Sequence, residues 1–226
     1  MCIIAVGRGG AKLSLSANLS LFFRFVILRY KHYFFVIIFP VYLLILVMKN
    51  LEKWQTVNSR MVINHPWCQV RRDEIKLPNG NIIDDYFVYI KPDVAMVLPI
   101  TESGEIIFVR QYRHAFHDFF IELPAGHFEP TQETAETAAM RELTEETGYV
   151  ASNMQKIATL YDKPGKDTNQ IHLFLAENVI KAEEQQLDLT EEIEVLLIPQ
   201  AEVFTKIHQG EISVAGTVAA LFMGLK

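Results

Sequence analysis

GHFEPTQETAETAAMRELTEETGY, residues 126–149, is the stretch whose reading decides the fold. A glycine loop there feeds a helix in which Glu142, Glu145 and Glu146 stand at i, i+3 and i+4. At about 100° per residue, that spacing confines the three side chains to an arc of roughly 100°. Like charges so close repel unless solvent or a cation relieves them. Two readings follow: a solvated charged face, or a hard-oxygen site suited to magnesium, with manganese as a substitute. Gly148 is placed to end the helix as a C-terminal glycine does.

The order glycine, acid, arginine, acids, glycine resembles the Nudix hydrolase box, G-x5-E-x7-R-E-U-x-E-E-x-G-U with U aliphatic or aromatic. Glu133, Arg141-Glu142-Leu143, Glu145-Glu146, Gly148 and Tyr149 fit it. One departure is visible, because six residues instead of five separate Gly126 from Glu133. The extra residue falls in the Glu129–Gln132 turn, where a longer loop costs little. The resemblance implies an α/β/α sandwich on a mixed sheet, preceded by a small β-rich N-terminal subdomain. It also implies that the Ala125 carbonyl joins Glu142, Glu145 and Glu146 as metal ligands and that Glu133 supports Arg141.

Composition divides the chain. Residues 1–50 carry six basic residues and no acid, and subtracting that from the net −6 leaves −12 on residues 51–226. The acidic remainder argues against nonspecific nucleic-acid binding. Cys2 and Cys68 make no disulfide framework, which suits a reduced, cytoplasmic setting. Tyr33–Met48 is an uncharged apolar run, about 24 Å long if helical and interrupted by Pro40. A membrane span needs roughly 20 residues. The expectation is a dispensable or spurious extension over residues 1–50, with a membrane anchor through residues 33–48 as the alternative.

Short β-branched and aromatic runs predict strands from Arg60 onward, with hairpin turns at Pro78-Asn79-Gly80 and Ser103-Gly104. Further strands are expected at Asp118–Leu123, Lys156–Tyr161, Gln170–Ala176 and Ile193–Ile198, then helices at Gln200–His208 and Val214–Leu225. The expected divisions are 1–50 (extension), 51–92 (β-rich subdomain) and 93–226 (Nudix domain). Ala135, Ala138 and Ala139 lie near the carboxylate stripe. Their small size either admits substrate or simply favours helix.

Residues outside the box point to a substrate class. Leu123-Pro124-Ala125-Gly126, Val109-Arg110-Gln111-Tyr112-Arg113 and Pro164 resemble the ADP-ribose pyrophosphatase branch. That likeness implies Mg-dependent cleavage of ADP-ribose, or of another nucleoside diphosphate sugar such as GDP-mannose or ADP-glucose. A nucleotide sensor without turnover is the reading of a different class. Arg113 and Arg110 are candidates for phosphate or ribose contacts, or for strand-end salt bridges. Glu122 is a candidate for the nucleoside. Trp67, ahead of Trp54, is one for adenine stacking or for an interface. Glu191, with Glu192 second, is the candidate general base, the bland alternative being a solvated loop acid. The branch further implies a homodimer with sites near its interface.

Overall fold

The computed structural model describes residues 23–30, 33–40 and 51–225, the first two segments by backbone alone. The chain separates into two compact units, Met1–Trp54 and Gln55–Lys226. In the first, β1 (Phe23–Tyr30) and β2 (Tyr33–Pro40) form an antiparallel pair. Over residues 33–40 the helical span considered from the sequence is therefore replaced by a strand, as a run so rich in aromatic and β-branched residues favours. Residues 41–48 of that run lie outside the described residues. Among the described residues no helix is long and apolar enough to cross a membrane, which leaves strands unaddressed.

The second unit opens with β3 (Gln55–His65), β4 (Cys68–Lys76) and β5 (Ile82–Ile90), an antiparallel sheet in that order. The turn after β4 is the one predicted, with Gly80 at φ 88°. Strand β3 is an edge, and all eleven of its residues are exposed, Val57, Met61 and Ile63 among them.

An eight-stranded sheet follows. Its spine is β6 (Asp93–Thr101) and β7 (Glu105–Arg113), flanked by β12 (Ile171–Lys181) and β13 (Ile193–Pro199). β12 runs parallel to β6, whereas β7 and β13 are antiparallel, so the sheet is mixed. β8 (Asp118–Glu122) lies on β7 and β9 (Ala125–Phe128) on β6. β10 (Tyr149–Val150) and β11 (Gln155–Leu160) both pair with β12.

Strands buried on both faces read as continuous apolar runs, and the period of two sorts their side chains. Ala95, Val97 and Ile107 face α1 (Ala135–Thr147), where Ala138, Ala139 and Leu143 meet them. Met96, Leu98, Ile106 and Phe108 face the opposite layer. There α2 (Gln200–Gln209) supplies Val203, and α3 (Ala215–Gly224) supplies Ala220 and Leu221. The result is the α/β/α sandwich that the resemblance implies.

Two elements differ from expectation. Residues 125–128 form strand β9 instead of a loop, because their backbone completes the β6 ladder although Ala-Gly-His-Phe has little strand propensity. β12 continues to Lys181, past the predicted end at Ala176, and carries a register shift between Glu177 and Val179.

Leu143 is fully buried at the centre of the α1–sheet contact. Leu143→Ala should cost about 2–5 kcal/mol of stability through the cavity it leaves. Urea denaturation monitored by tryptophan fluorescence would show a correspondingly lower midpoint, and an unchanged midpoint would contradict this packing.

Candidate active site

Helix α1 begins at Thr134, whose hydroxyl accepts from the Thr137 N–H, and ends at Gly148 in the left-handed conformation. Its buried stripe comprises Ala138, Ala139, Glu142, Leu143, Glu146 and Thr147. The alanines are core contacts against Ala95, Phe128 and Phe174, so their small size serves sheet packing and not substrate approach. Farther along the same stripe, Glu142 and Glu146 are carried inward.

β9 is shaped to receive them. A Cβ on Gly126 would stand 1.9 Å from Glu142 Oε1, so only glycine leaves room for that carboxylate. One residue earlier, the Ala125 N–H donates to Glu146 Oε2 at 3.0 Å. Burial drives the Glu146 carboxyl up to about 8, with the nearby charges of Glu142 and Glu191 adding to the effect. The Ala125 N–H and Arg113 oppose that rise. Glu142 is also raised, first by burial, against the opposing pull of Arg141.

Arg141 is a hub for three acids. One guanidinium nitrogen donates to Glu142 at 2.7 Å and Glu145 at 2.9 Å, and the other terminal nitrogen to Glu133 at 2.8 Å. The hydrogen bond that it donates to Glu133 chiefly raises its pKa above the usual arginine value. Glu145 is thereby held at the guanidinium with its side chain 39% exposed, while Glu142 and Glu146 are buried. Among the described residues no three acidic, imidazole or thiol side chains are gathered at ion-binding spacing. Arg141 bonds Glu142 and Glu145 alike, so it is burial that divides the three glutamates expected to converge into two inward carboxylates and one partly exposed.

The donor set nevertheless fits a hard divalent cation. Two buried carboxylates lie against backbone, and burial disfavours their charged forms, which a bound cation would offset.

The other predicted residues separate clearly. Arg113 makes a two-pronged pair with Glu122, at 2.7 and 3.0 Å, and feels the charges of Glu146 and Glu191. Arg110, by contrast, pairs across strands with Glu194 at 3.1 Å and lies over Phe119. Both arginines thus stand in strand-end ion pairs, and both guanidiniums stay partly exposed. Glu191 interacts electrostatically with Glu142, Glu146 and Arg113, placing it opposite the helix; Glu192 is exposed and has no such interaction.

Pro164 lies in an exposed loop tied to β5 by Tyr89 N–H to Lys166 O at 2.8 Å and Tyr86 Oη–H to Gly165 O at 2.6 Å. Trp67 is 86% exposed in the turn between β3 and β4. Among the described residues no contact joins it to the carboxylates. His127 lies on β9 opposite Val94. Its pKa is lowered first by burial and then by Lys91 and Arg113. That environment had no sequence signal, since Lys91 and Arg113 reach it only through the sheet.

Comparison with known proteins agrees with this geometry. The family described as the NUDIX domain matches residues 90–218, and the nucleoside diphosphate sugar hydrolase N-terminal domain matches residues 54–89. ADP-ribose pyrophosphatase of Bacillus subtilis is 33% identical over 175 residues, covering 77% of this chain and 93% of that protein. GDP-mannose pyrophosphatase of Cronobacter sakazakii is 36% identical over 135 residues, covering 56% of this chain and 70% of that protein. The crystal structure of an ADP compounds hydrolase superposes with a TM-score of 0.69 at 22% identity, over 77% of this chain and 94% of that one. With the motif glutamates on α1, the glycine cradle on β9 and a domain match over more than half its length, the chain belongs to the Nudix hydrolase family.

Proposed function

We propose that this enzyme hydrolyses the pyrophosphate bond of ADP-ribose to AMP and ribose 5-phosphate, using Mg²⁺. The observation that carries the reading is the burial of Glu142 and Glu146 within the influence of the Glu191 and Arg113 charges, which supports a carboxylate metal site with a base and a phosphate-binding cation beside it. The ADP-ribose pyrophosphatase from Bacillus subtilis, matched over nearly its whole length, supports the substrate. GDP-mannose is the second reading, on the strength of the Cronobacter sakazakii relative.

Glu142 and Glu146 would hold the metal with the Ala125 carbonyl, and Glu145 would complete the set on releasing Arg141. When bound, the ion supplies charge neutralisation to the phosphate oxygens and acidifies water. Arg113, oriented by Glu122, faces a phosphate of the diphosphate, where its planar fork suits the oxygens. Glu191 takes the proton from the attacking water. Arg141 keeps Glu142 aimed at β9. Glu192 and Arg110 have no part in this scheme.

A homodimer and a reduced, cytoplasmic setting belong to the same proposal. Support for the first is the fully exposed edge strand β3, since a long apolar edge invites pairing. Support for the second is the free, exposed thiol of Cys68. Trp67 would reach adenine only across such a dimer. Sedimentation equilibrium should show two copies, and Met61→Glu should shift the mass toward one; a wild-type monomer would refute the dimer.

Glu146→Gln and Gly126→Ala should each lower kcat on ADP-ribose by two or more orders of magnitude. Removal of a key electrostatic group costs about that much, and the added methyl would displace Glu142. A panel of ADP-ribose, ADP-glucose and GDP-mannose with Mg²⁺, products resolved by chromatography, tests the substrate. Turnover of GDP-mannose alone would overturn the first reading, and binding without turnover would leave a sensor.

Metal binding should also release a proton. In the metal-free protein Glu146 titrates near 8 against an ordinary value of 4.5, so the fold gains stability below 4.5 and loses it as pH rises through 8. Mn²⁺ affinity should therefore climb up to about pH 8 and then level. Calorimetry at pH 7 in buffers of different ionisation enthalpy should register the released proton. Buffer-independent heats would contradict the assignment.

A further inference from the structure

The last four carbonyls of an α-helix have no partner within it. In α1 the Thr144 carbonyl accepts from the Gly148 N–H, and the other three, with that of Gly148, are taken up by residues 181–186, from the end of β12 into the segment after it. The Lys181 ammonium donates to Thr147 O at 2.8 Å, and the Ala182 and Glu183 N–H groups both donate to Gly148 O at 3.0 Å. The Gln186 N–H donates to Glu145 O at 2.8 Å. A Cβ on Gly148 would stand 2.2 Å from Glu183 O, so the glycine is required by this docking as well as by its φ of 70°.

Glu146 O is met differently, by a side chain. The Gln185 amide nitrogen donates to Glu146 O at 2.6 Å and to Ile193 O at 3.3 Å. Its two N–H bonds thus join the backbone of the residue bearing the buried carboxylate to the first residue of β13. Ile193 follows Glu191 by two positions. Between the anchors, residues 187–192 close a turn in which the Glu191 N–H donates to Asp188 O, and the Asp188 N–H to Glu191 Oε2, both at 2.9 Å. That leaves Glu191 Oε1 outside the turn.

We propose that Gln185 is a positioning residue for hydrolysis: by clamping Glu146 O to Ile193 O it sets Glu191 against Glu142 and Glu146. Without the clamp the loop would keep the Gln186 N–H bond to the helix and the β13 ladder from Ile193, but would lose the bond that ties its β13 end to the helix, and displacement of a base by an ångström slows proton transfer steeply. A carboxamide suits the task because it supplies two donors at one nitrogen. The inference rests on Glu191 as the base.

The test is a double-mutant cycle on the full chain with Mg²⁺ and ADP-ribose. Gln185→Leu should lower kcat by about 10–100-fold, the range typical of residues that orient an active-site group. KM should change less than about threefold, because substrate contacts are untouched. In the Glu191→Gln background the same substitution should change kcat by less than about twofold, since there is no base left to position. A folded Gln185→Leu with wild-type kcat overturns the proposal, as does an equal loss in both backgrounds, which would indicate general loosening. Full activity of Glu191→Gln alone would instead remove the base assignment underneath. If Gln185→Leu loses its cooperative melt, Gln185→Asn gives the same readout: it keeps the amide but is too short for both carbonyls.

Discussion

Burial of two carboxylates against backbone is the constraint on which the rest of the molecule turns. Glu142 and Glu146 leave water because the helix that bears them is held to the sheet by Ala138, Ala139 and Leu143 on the same stripe. An ionised carboxylate with too few partners costs several kcal/mol in such surroundings. The chain offsets part of that cost with Arg141, the Ala125 N–H and the more distant Arg113. The remaining deficit is an affinity for positive charge, and it is located where the family's chemistry needs it.

The two sides of the site are held by different means. On the helix side the control is electrostatic: Arg141 joins Glu133, Glu142 and Glu145. On the opposite side the control is backbone capping, with residues 181–186 seated on the exposed carbonyls of α1. The helix C-terminus therefore serves as the reference surface from which the loop bearing Glu191 is measured. Arg113 and Glu122 approach from β7 and β8, fixed to each other in a pair that leaves the guanidinium partly exposed. The sheet supplies rigidity common to all three.

The three-stranded sheet is also tied to the chain beyond it. Its last strand, β5, holds the loop containing Pro164 through the Tyr89 and Tyr86 bonds and the Lys91–Asp167 ion pair. Residues 54–89 and 90–218 match separate family domains, yet these contacts make one compact unit of them. The far edge of the same sheet, β3, remains wholly exposed.

The box from Gly126 to Tyr149 was legible from spacing alone, because a helix period maps i, i+3 and i+4 onto one face whatever surrounds it. The apolar runs of β6 and β7 and the turns at Gly80 and Gly104 were legible for equally local reasons. Local spacing could not tell Glu145 from its neighbours; that distinction arose when the sheet buried the other two and left Glu145 partly exposed. Nor could spacing separate Arg110 from Arg113, since one meets Glu194 only through β13 and the other meets Glu122 only through β8. β9 escaped detection because Ala-Gly-His-Phe becomes a strand only when β6 offers its edge. Gln185 carried no signal at all in a charged loop, for its two partners, Glu146 and Ile193, lie on separate elements. Local pattern thus determined which side chains share a face, and long-range burial and hydrogen bonding decided which of them meet and in what charge state.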